Sequence, residues 1–321
     1  MNNISQTMIE THIRQRYPSN NLRSVAYSDE LIRICNQFVA SGLADQKYVT
    51  ELISGQDSKF WACVSEALLA DRLCNKNFLE RSIVGEGPDF FIGNENLKIW
   101  IEAICPEPTG IPVNWLSCRG SVDVPHVEIL LRWTSAIKEK AEKLIGNTDG
   151  TTTGYLQKEI VASNEAYVIA VNGCQLRNGP FSALYGISQF PVAAEAVFQI
   201  GPIQLMINRE TRKVVDQNYQ YRPYIINRNN AQVPAYTFLD PRFAPISAIW
   251  AVDLNGASVI GNSEPMAVIH NPFALNPIPV GFLPADSEYV ATPSGEDEFL
   301  LEKIESENIS NEYQSNPTDV L

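Results

Sequence analysis

Apolar residues recur at helical spacing over residues 29–54 and 59–76, and the intervening SGQDSKFW supplies loop residues and a cap, so two helices are expected to open the chain. The period then changes. FLERSIV, DFFIG and LKIWIEAI are short, rich in Ile, Phe and Trp, and separated by Gly and Asn, which predicts three consecutive strands followed by a Pro-rich loop over 106–125. Residues 126–145 have the clearest amphipathic pattern, with Leu130, Thr134, Ile137, Ala141 and Leu144 on one face. After a Gly/Thr break and a short helical piece near 154–162, AYVIAVNG reads as a buried strand ending in Asn172-Gly173. Further on, VAAEAVFQI is a candidate helix, and PIQLMIN, AYTFL, PISAIWAVD and MAVIHNPFAL are candidate strands.

Three acids interrupt this apolar pattern. Side chains alternate along a strand, so Trp100, Glu102 and Ile104 share one face and Glu102 has only bulky apolar neighbours there. An ionised carboxylate in such a place costs several kcal/mol unless a cation or donor compensates. Asp89 follows Gly87-Pro88 at the head of the preceding strand, and hairpin pairing would bring it to one end of the strand of Glu102. Glu66 lies on the helix over 59–76 with Ala62, Cys63, Leu69 and Ala70 one turn away on either side. Carboxylates converging at a strand edge suit a hard divalent ion, Mg²⁺ or Mn²⁺, which keeps several waters and takes its other ligands from phosphate. Each acid also has a purely structural reading: Asp89 as a turn residue, Glu102 paired with Lys98 or an Arg of an adjacent element, Glu66 paired with Arg72 or another base.

The succession of a helix bearing Glu66, GPDF with Asp89, WIEAI with Glu102, an amphipathic helix and a buried strand resembles the core of the PD-(D/E)XK nuclease superfamily, over about residues 59–173. The resemblance implies an α/β fold, restriction-endonuclease-like, with a mixed central sheet flanked by helices and a metal held by the Asp and Glu. The family places a Lys two residues after the strand Glu, where this chain has Ile104. In some members a neighbouring helix supplies it. Projection of the helix over 126–145 puts Lys138 at one margin of the apolar face, Lys140 at the other and Lys143 nearly opposite, which ranks Lys138 first and Lys140 second. Both lysines can equally be part of a solvated helix face. The expected activity is metal-dependent phosphodiester cleavage, with a catalytically silent fold that binds nucleic acid or protein as the alternative.

Beyond this core, NRETRKVVDQNYQYRPYIINRNN interleaves Arg209, Arg212, Lys213, Arg222 and Arg228 with Tyr219, Tyr221 and Tyr224, a composition suited to phosphate contacts and base stacking, and equally to a basic hairpin over the sheet. Asn172-Gly173 and the Pro-bounded HNPFALNPIP are candidates for the lining of the same cleft. His126 and His270 stand too far apart in sequence to suggest a histidine metal cluster, and no P-loop or G-x-G-x-x-G fingerprint is present.

Composition changes the picture in one respect. The net charge of −13 looks unsuited to nucleic acid, yet the segment from Ala285 onward holds ten acidic residues against one Lys, leaving the preceding body with 27 acidic and 23 basic residues. That end is expected to be a largely disordered acidic tail in which EDEFLLEKIESE could form a short helix, acting as a solubilising end or as a phosphate mimic over a basic groove. Six scattered cysteines, without a C-x-x-C pair, read as reduced core residues, and the absence of a long apolar run or a signal layout predicts a cytoplasmic protein that does not contact membrane. The expected organisation is a helical segment over 1–58, the nuclease-like core over 59–180, a β-rich extension over 181–284 packed on it, and the tail over 285–321, with a homodimer compatible with this layout.

Overall fold

The computed structural model describes residues 3–18, 21–74, 79–80, 86–93, 97–118, 123–179, 181–262, 264–294 and 299–305. Four helices come first: α1 (Asn3–Arg16), α2 (Leu22–Ala40), α3 (Tyr48–Leu52) and α4 (Asp57–Cys74). The helix expected over 29–54 is thus two helices, because the stretch after Ala40 contains Gly42 with φ at +76°, a left-handed conformation that ends α2. Asn21 caps α2 in a reciprocal box with Ser24. The strands β1 (Leu79–Glu80), β2 (Phe90–Gly93) and β3 (Lys98–Ile104) follow, then α5 (Val113–Leu116), α6 (His126–Ile145) and β4 (Ala166–Asn172). Most of FLERSIV lies outside the described residues, and the segment near 154–162 forms successive turns in place of the expected helical piece.

The second half contributes α7 (Val192–Val197), a hairpin of β5 (Ile200–Ile207) and β6 (Val214–Tyr221), a smaller hairpin of β7 (Tyr224–Ile226) and β8 (Gln232–Pro234), then β9 (Ala248–Val252), α8 (Gly256–Val259), β10 (Met266–His270), β11 (Ser287–Pro293) and β12 (Phe299–Glu305). AYTFL, expected as a strand, ends in a 3-10 turn over Thr237–Leu239. β9 and β10 continue the main sheet, whose eight strands run β1-β2-β3-β4-β9-β10-β11-β12. The β3–β4, β4–β9 and β10–β11 pairs are parallel and the others antiparallel. The expected tail is corrected within the described residues: 287–293 and 299–305 are the last two strands of the sheet, with β12 at its edge, and the FLLEKIE part of EDEFLLEKIESE is strand, not helix, while 295–298 and 306–321 lie outside the described residues. Phe299 and Leu301 alternate with exposed residues and Ile304 is also half-buried, a strand pattern masked in sequence by net acidity.

The strands divide their side chains between two cores. Ile99, Ile101 and Ala103 of β3, Val168 and Ala170 of β4, and Trp250 of β9 pack with α1, α2 and α4. Tyr167, Ile169, Val171, Ile249 and Ile269 pack on the opposite face with α6 and α7. The result is a large mixed sheet with helices on both faces. β4 is buried over its whole length because both faces are covered. No helix among the described residues is long and apolar enough to cross a membrane.

Candidate functional site

Register places the first two acids. β2 pairs antiparallel with β3, Phe90 opposite Ile101, so Asp89 stands just outside the last pair and reaches the end of β3. Its Oδ2 accepts a 2.7 Å hydrogen bond from the backbone N–H of Ala103. Asp89 thereby does the work of a ladder partner where β2 begins, and its other oxygen has no hydrogen-bond partner among the described residues. Glu66, on α4, lines the same cavity of about 180 Å³, together with Asp45, Tyr48, Glu51, Gly87 and Pro88. Asp45 and Glu51 were not legible as site residues, being exposed-looking acids in a polar stretch.

Glu102 lies on the face of β3 that looks toward α6 and is 1% exposed. Two ammonium groups meet its Oε1: Lys140 Nζ at 2.8 Å and Lys143 Nζ at 2.6 Å. The Tyr155 hydroxyl donates to Oε2 over a longer 3.4 Å. Lys98 instead binds Glu165, at 3.1 Å, so Glu102 is neutralised by bases of a neighbouring helix, lysines and not an Arg, and no ion pair joins Arg72 to Glu66 among the described residues.

The lysine ranking is corrected. Lys138 is 64% exposed, pairs loosely with Glu142 at 3.7 Å, and lines a different cleft of about 760 Å³ against Arg228, Tyr236 and Arg242. Lys140 is buried, and Lys143, judged to point away, lies one turn further on the same side. Spacing of three residues on a helix puts two side chains on neighbouring ridges, a relation that the Lys140–Lys143 interval contains. Long flexible stems extend each ammonium well beyond the margin that a wheel assigns.

The charges are interdependent. Burial raises the carboxyl of Glu66 well above the ordinary range, with repulsion from Asp89 second and the Lys140 charge opposing both. Burial and the neighbouring Glu102 push Asp89 up to about 7, again against Lys140. For Lys140 itself burial disfavours the charge, but the carboxylates of Glu102 and Asp89 outweigh it and hold the ammonium above its normal range. One buried cation thus acts on all three acids. The trio does not close into a cage: no group of three or more His, Cys, Asp or Glu among the described residues is arranged to hold a metal ion. The expectation of three convergent ligands is replaced by two acids across a cavity, Glu66 and Asp89, and a third engaged by two lysines.

Comparison with protein-family models, curated proteins and solved structures gives no match to this chain.

The residues considered for nucleic acid separate into two sets. Arg209, Arg212 and Lys213 occupy the tip of the β5–β6 hairpin, and Tyr219 and Tyr221 lie on its second strand, all exposed. Arg222 belongs elsewhere: its guanidinium binds the fully buried Glu195 at 2.8 Å and the carbonyl of Ile200 at 2.7 Å. His126 contacts the same Glu195 at 2.8 Å, and Ser188 donates to it from both N–H and hydroxyl. Arg228 is tied to Glu128 and the carbonyl of Gly110. His270 pairs with Glu288 at 2.6 Å.

Asn172 and the HNPFALNPIP turn are pins, not cleft lining. The Asn172 amide donates to Ser65 Oγ and the Leu254 carbonyl, which ties β4 to α4 and to the segment after β9. Asn271 donates to the carbonyls of Phe243 and Ile246, and Asn276 to those of Ser163 and Glu165. The cysteines are all free, but Cys74 and Cys118 are exposed, contrary to the expectation of a uniformly buried set.

Proposed function

We propose that this protein is a metal-dependent nuclease-like phosphodiesterase with a restriction-endonuclease-like core. The observation that carries this is the placement of the Lys140 ammonium 2.8 Å from Glu102, with its charge felt by Asp89 and Glu66. Lys140 stands in for the lysine that the strand lacks at Ile104, and it comes from the helix that covers the face on which Glu102 lies.

Glu66 and Asp89 fit a divalent cation: both flank one cavity, each carries a proton affinity raised by burial and by a neighbouring anion, and Asp89 retains an oxygen free of the Ala103 bond. Mg²⁺ needs only one or two carboxylates, completing its shell with water and substrate phosphate. Such an ion supplies an acidified water and charge neutralisation on the phosphodiester. The remaining chemistry belongs to the chain. Lys140 stays protonated through neutral pH, so its role is to orient an oxygen nucleophile and to face the charge that develops on phosphate, not to remove a proton. Lys143, at the solvent edge of the same carboxylate, extends that positive field toward an incoming backbone.

The exposed Arg209, Arg212 and Lys213 suit phosphate contacts, and Tyr219 and Tyr221 suit base stacking. A catalytically silent fold that binds nucleic acid or protein is the second reading, favoured by the double lysine engagement of Glu102.

Thermal denaturation in Mg²⁺ or Mn²⁺ tests the metal site. The wild type is expected to melt higher with the ion, and Asp89→Asn and Glu66→Gln to lose the increment. An equal shift in all three would remove the basis for the site.

A further inference from the structure

The turns that follow β3 and β4 hold a feature that the nuclease reading does not use. Cys105 follows β3 and Cys174 follows β4, neighbouring parallel strands, and the two sulfurs lie 3.6 Å apart. Gln175 Nε2 donates to the Cys105 sulfur at 3.3 Å while also holding the carbonyl of Ser58 on α4. Cys174 is buried and Cys105 half-buried, so Cys105 is the more exposed residue of the pair. A donor aimed at sulfur favours the thiolate, which is the reactive form. The hydrogen bond from Cys174, opposed by burial and aided by Gln175, holds the Cys105 thiol below its ordinary range, and the same contact raises Cys174 well above it.

We propose that Cys105 and Cys174 form a peroxide-reactive dithiol, with Cys105 attacking and Cys174 resolving. The Cys105 thiolate attacks an oxygen of hydrogen peroxide: an S–O bond forms, the O–O bond breaks, and the departing hydroxide takes up a proton to leave as water. The Cys174 sulfur then displaces the sulfenic hydroxyl, which leaves with the Cys174 proton as a second water, and an S–S bond forms. Two thiols are oxidised and one peroxide is reduced to two waters. Bond formation brings the sulfurs from 3.6 Å to the disulfide length of about 2.05 Å. The exposed Cys74 and Cys118 have no cysteine sulfur within bonding contact among the described residues, so under the same oxidant they advance along the sulfenic–sulfinic series instead. This site stands independently of the nuclease chemistry.

The test is graded hydrogen peroxide on the folded protein, quenched with iodoacetamide in denaturant and mapped by mass spectrometry. Cys118 shares a tryptic peptide with Cys105, so Cys118→Ser is the parent. A linked Cys105–Cys174 peptide, short by two hydrogens, is expected at lower peroxide than that needed to oxidise Cys74, and dithiothreitol should return both thiols. In Cys174→Ala, dimedone should trap a sulfenic acid at Cys105. The proposal is overturned if both thiols remain open to alkylation after Cys74 is oxidised, or if Cys105 in the parent passes to sulfinic acid without forming the link.

Discussion

The Asp89 carboxylate accepts the backbone N–H of Ala103, the residue directly after Glu102, at 2.7 Å. This single bond fixes the acid that opens β2 against the strand carrying the buried acid. It explains why Asp89 is not merely a turn residue after Gly87-Pro88. The same contact leaves Asp89 close enough to Glu102 for the two charges to repel, and Lys140 lies where it opposes that repulsion.

Removing Glu102 is therefore expected to destabilise the fold severely. Glu102→Ala leaves the buried Lys140 ammonium without its counter-ion, a loss of about 3 to 5 kcal/mol for a broken buried pair. Lys143→Ala should cost about 1 kcal/mol or less, because its side chain is 42% exposed and solvent screens the charge. Urea denaturation of the two variants measures the ordering; equal losses would mean that the buried Lys140–Glu102 pair contributes no more than the half-exposed Lys143 contact.

The pH dependence follows from the raised acids. Asp89, at about 7 in the folded chain against an ordinary value of 3.8, holds its proton more tightly when folded. Between these values the folded state binds more protons than the unfolded state, so the Asp89 contribution to stability is greatest at low pH and falls as pH rises from about 4 through 7. Glu66, raised in the same direction, adds to the slope. Lys140, raised from an already alkaline value, contributes a constant amount over this window. The melting temperature of Asp89→Asn should exceed that of the wild type at pH 8 and approach it near pH 5. The opposite order would show that the Asp89 anion is stabilised, not penalised, by its surroundings.

How far this was visible beforehand differs between elements. The alternation around Glu102 and the periodicity of α6 each rest on local side-chain geometry, and strand and helix appear where the pattern puts them. The ranking of Lys138 above Lys140, and the outward placing of Lys143, fail because a wheel locates Cα positions and not the ends of four-carbon stems, so Lys143 reaches an anion from a position that looks solvent-facing. β12 is an edge strand that keeps charged residues on its open side, and β11 buries Glu288 against His270, so the acidic composition of both resembles a tail in sequence. Arg222 illustrates a further limit. Its partner Glu195 sits in α7, and nothing in the local sequence reveals that a basic hairpin residue will be consumed by a buried acid.

That division makes the hairpin testable by salt dependence. Replacing Arg209, Arg212 and Lys213 together by Ala should weaken binding to nucleic acid and make the dependence of log K on log salt shallower by about 3 at most, the number of charges removed. Arg222→Ala should instead lower the stability of the fold, since Glu195 is fully buried, while leaving the salt slope unchanged. An unchanged slope in the triple variant would remove the tip from the binding surface.

Plasmid nicking in Mg²⁺ or Mn²⁺ probes the proposed chemistry most directly, comparing wild type with Lys140→Met and Lys138→Ala. Wild type and Lys138→Ala should nick at similar rates, chelation should abolish both, and folded Lys140→Met should be slower by about 10²- to 10³-fold, the range for loss of one group that stabilises transition-state charge. Nicking by Lys140→Met at the wild-type rate, or no metal-dependent nicking by the wild type at all, would contradict a nuclease built on Lys140 and the three acids.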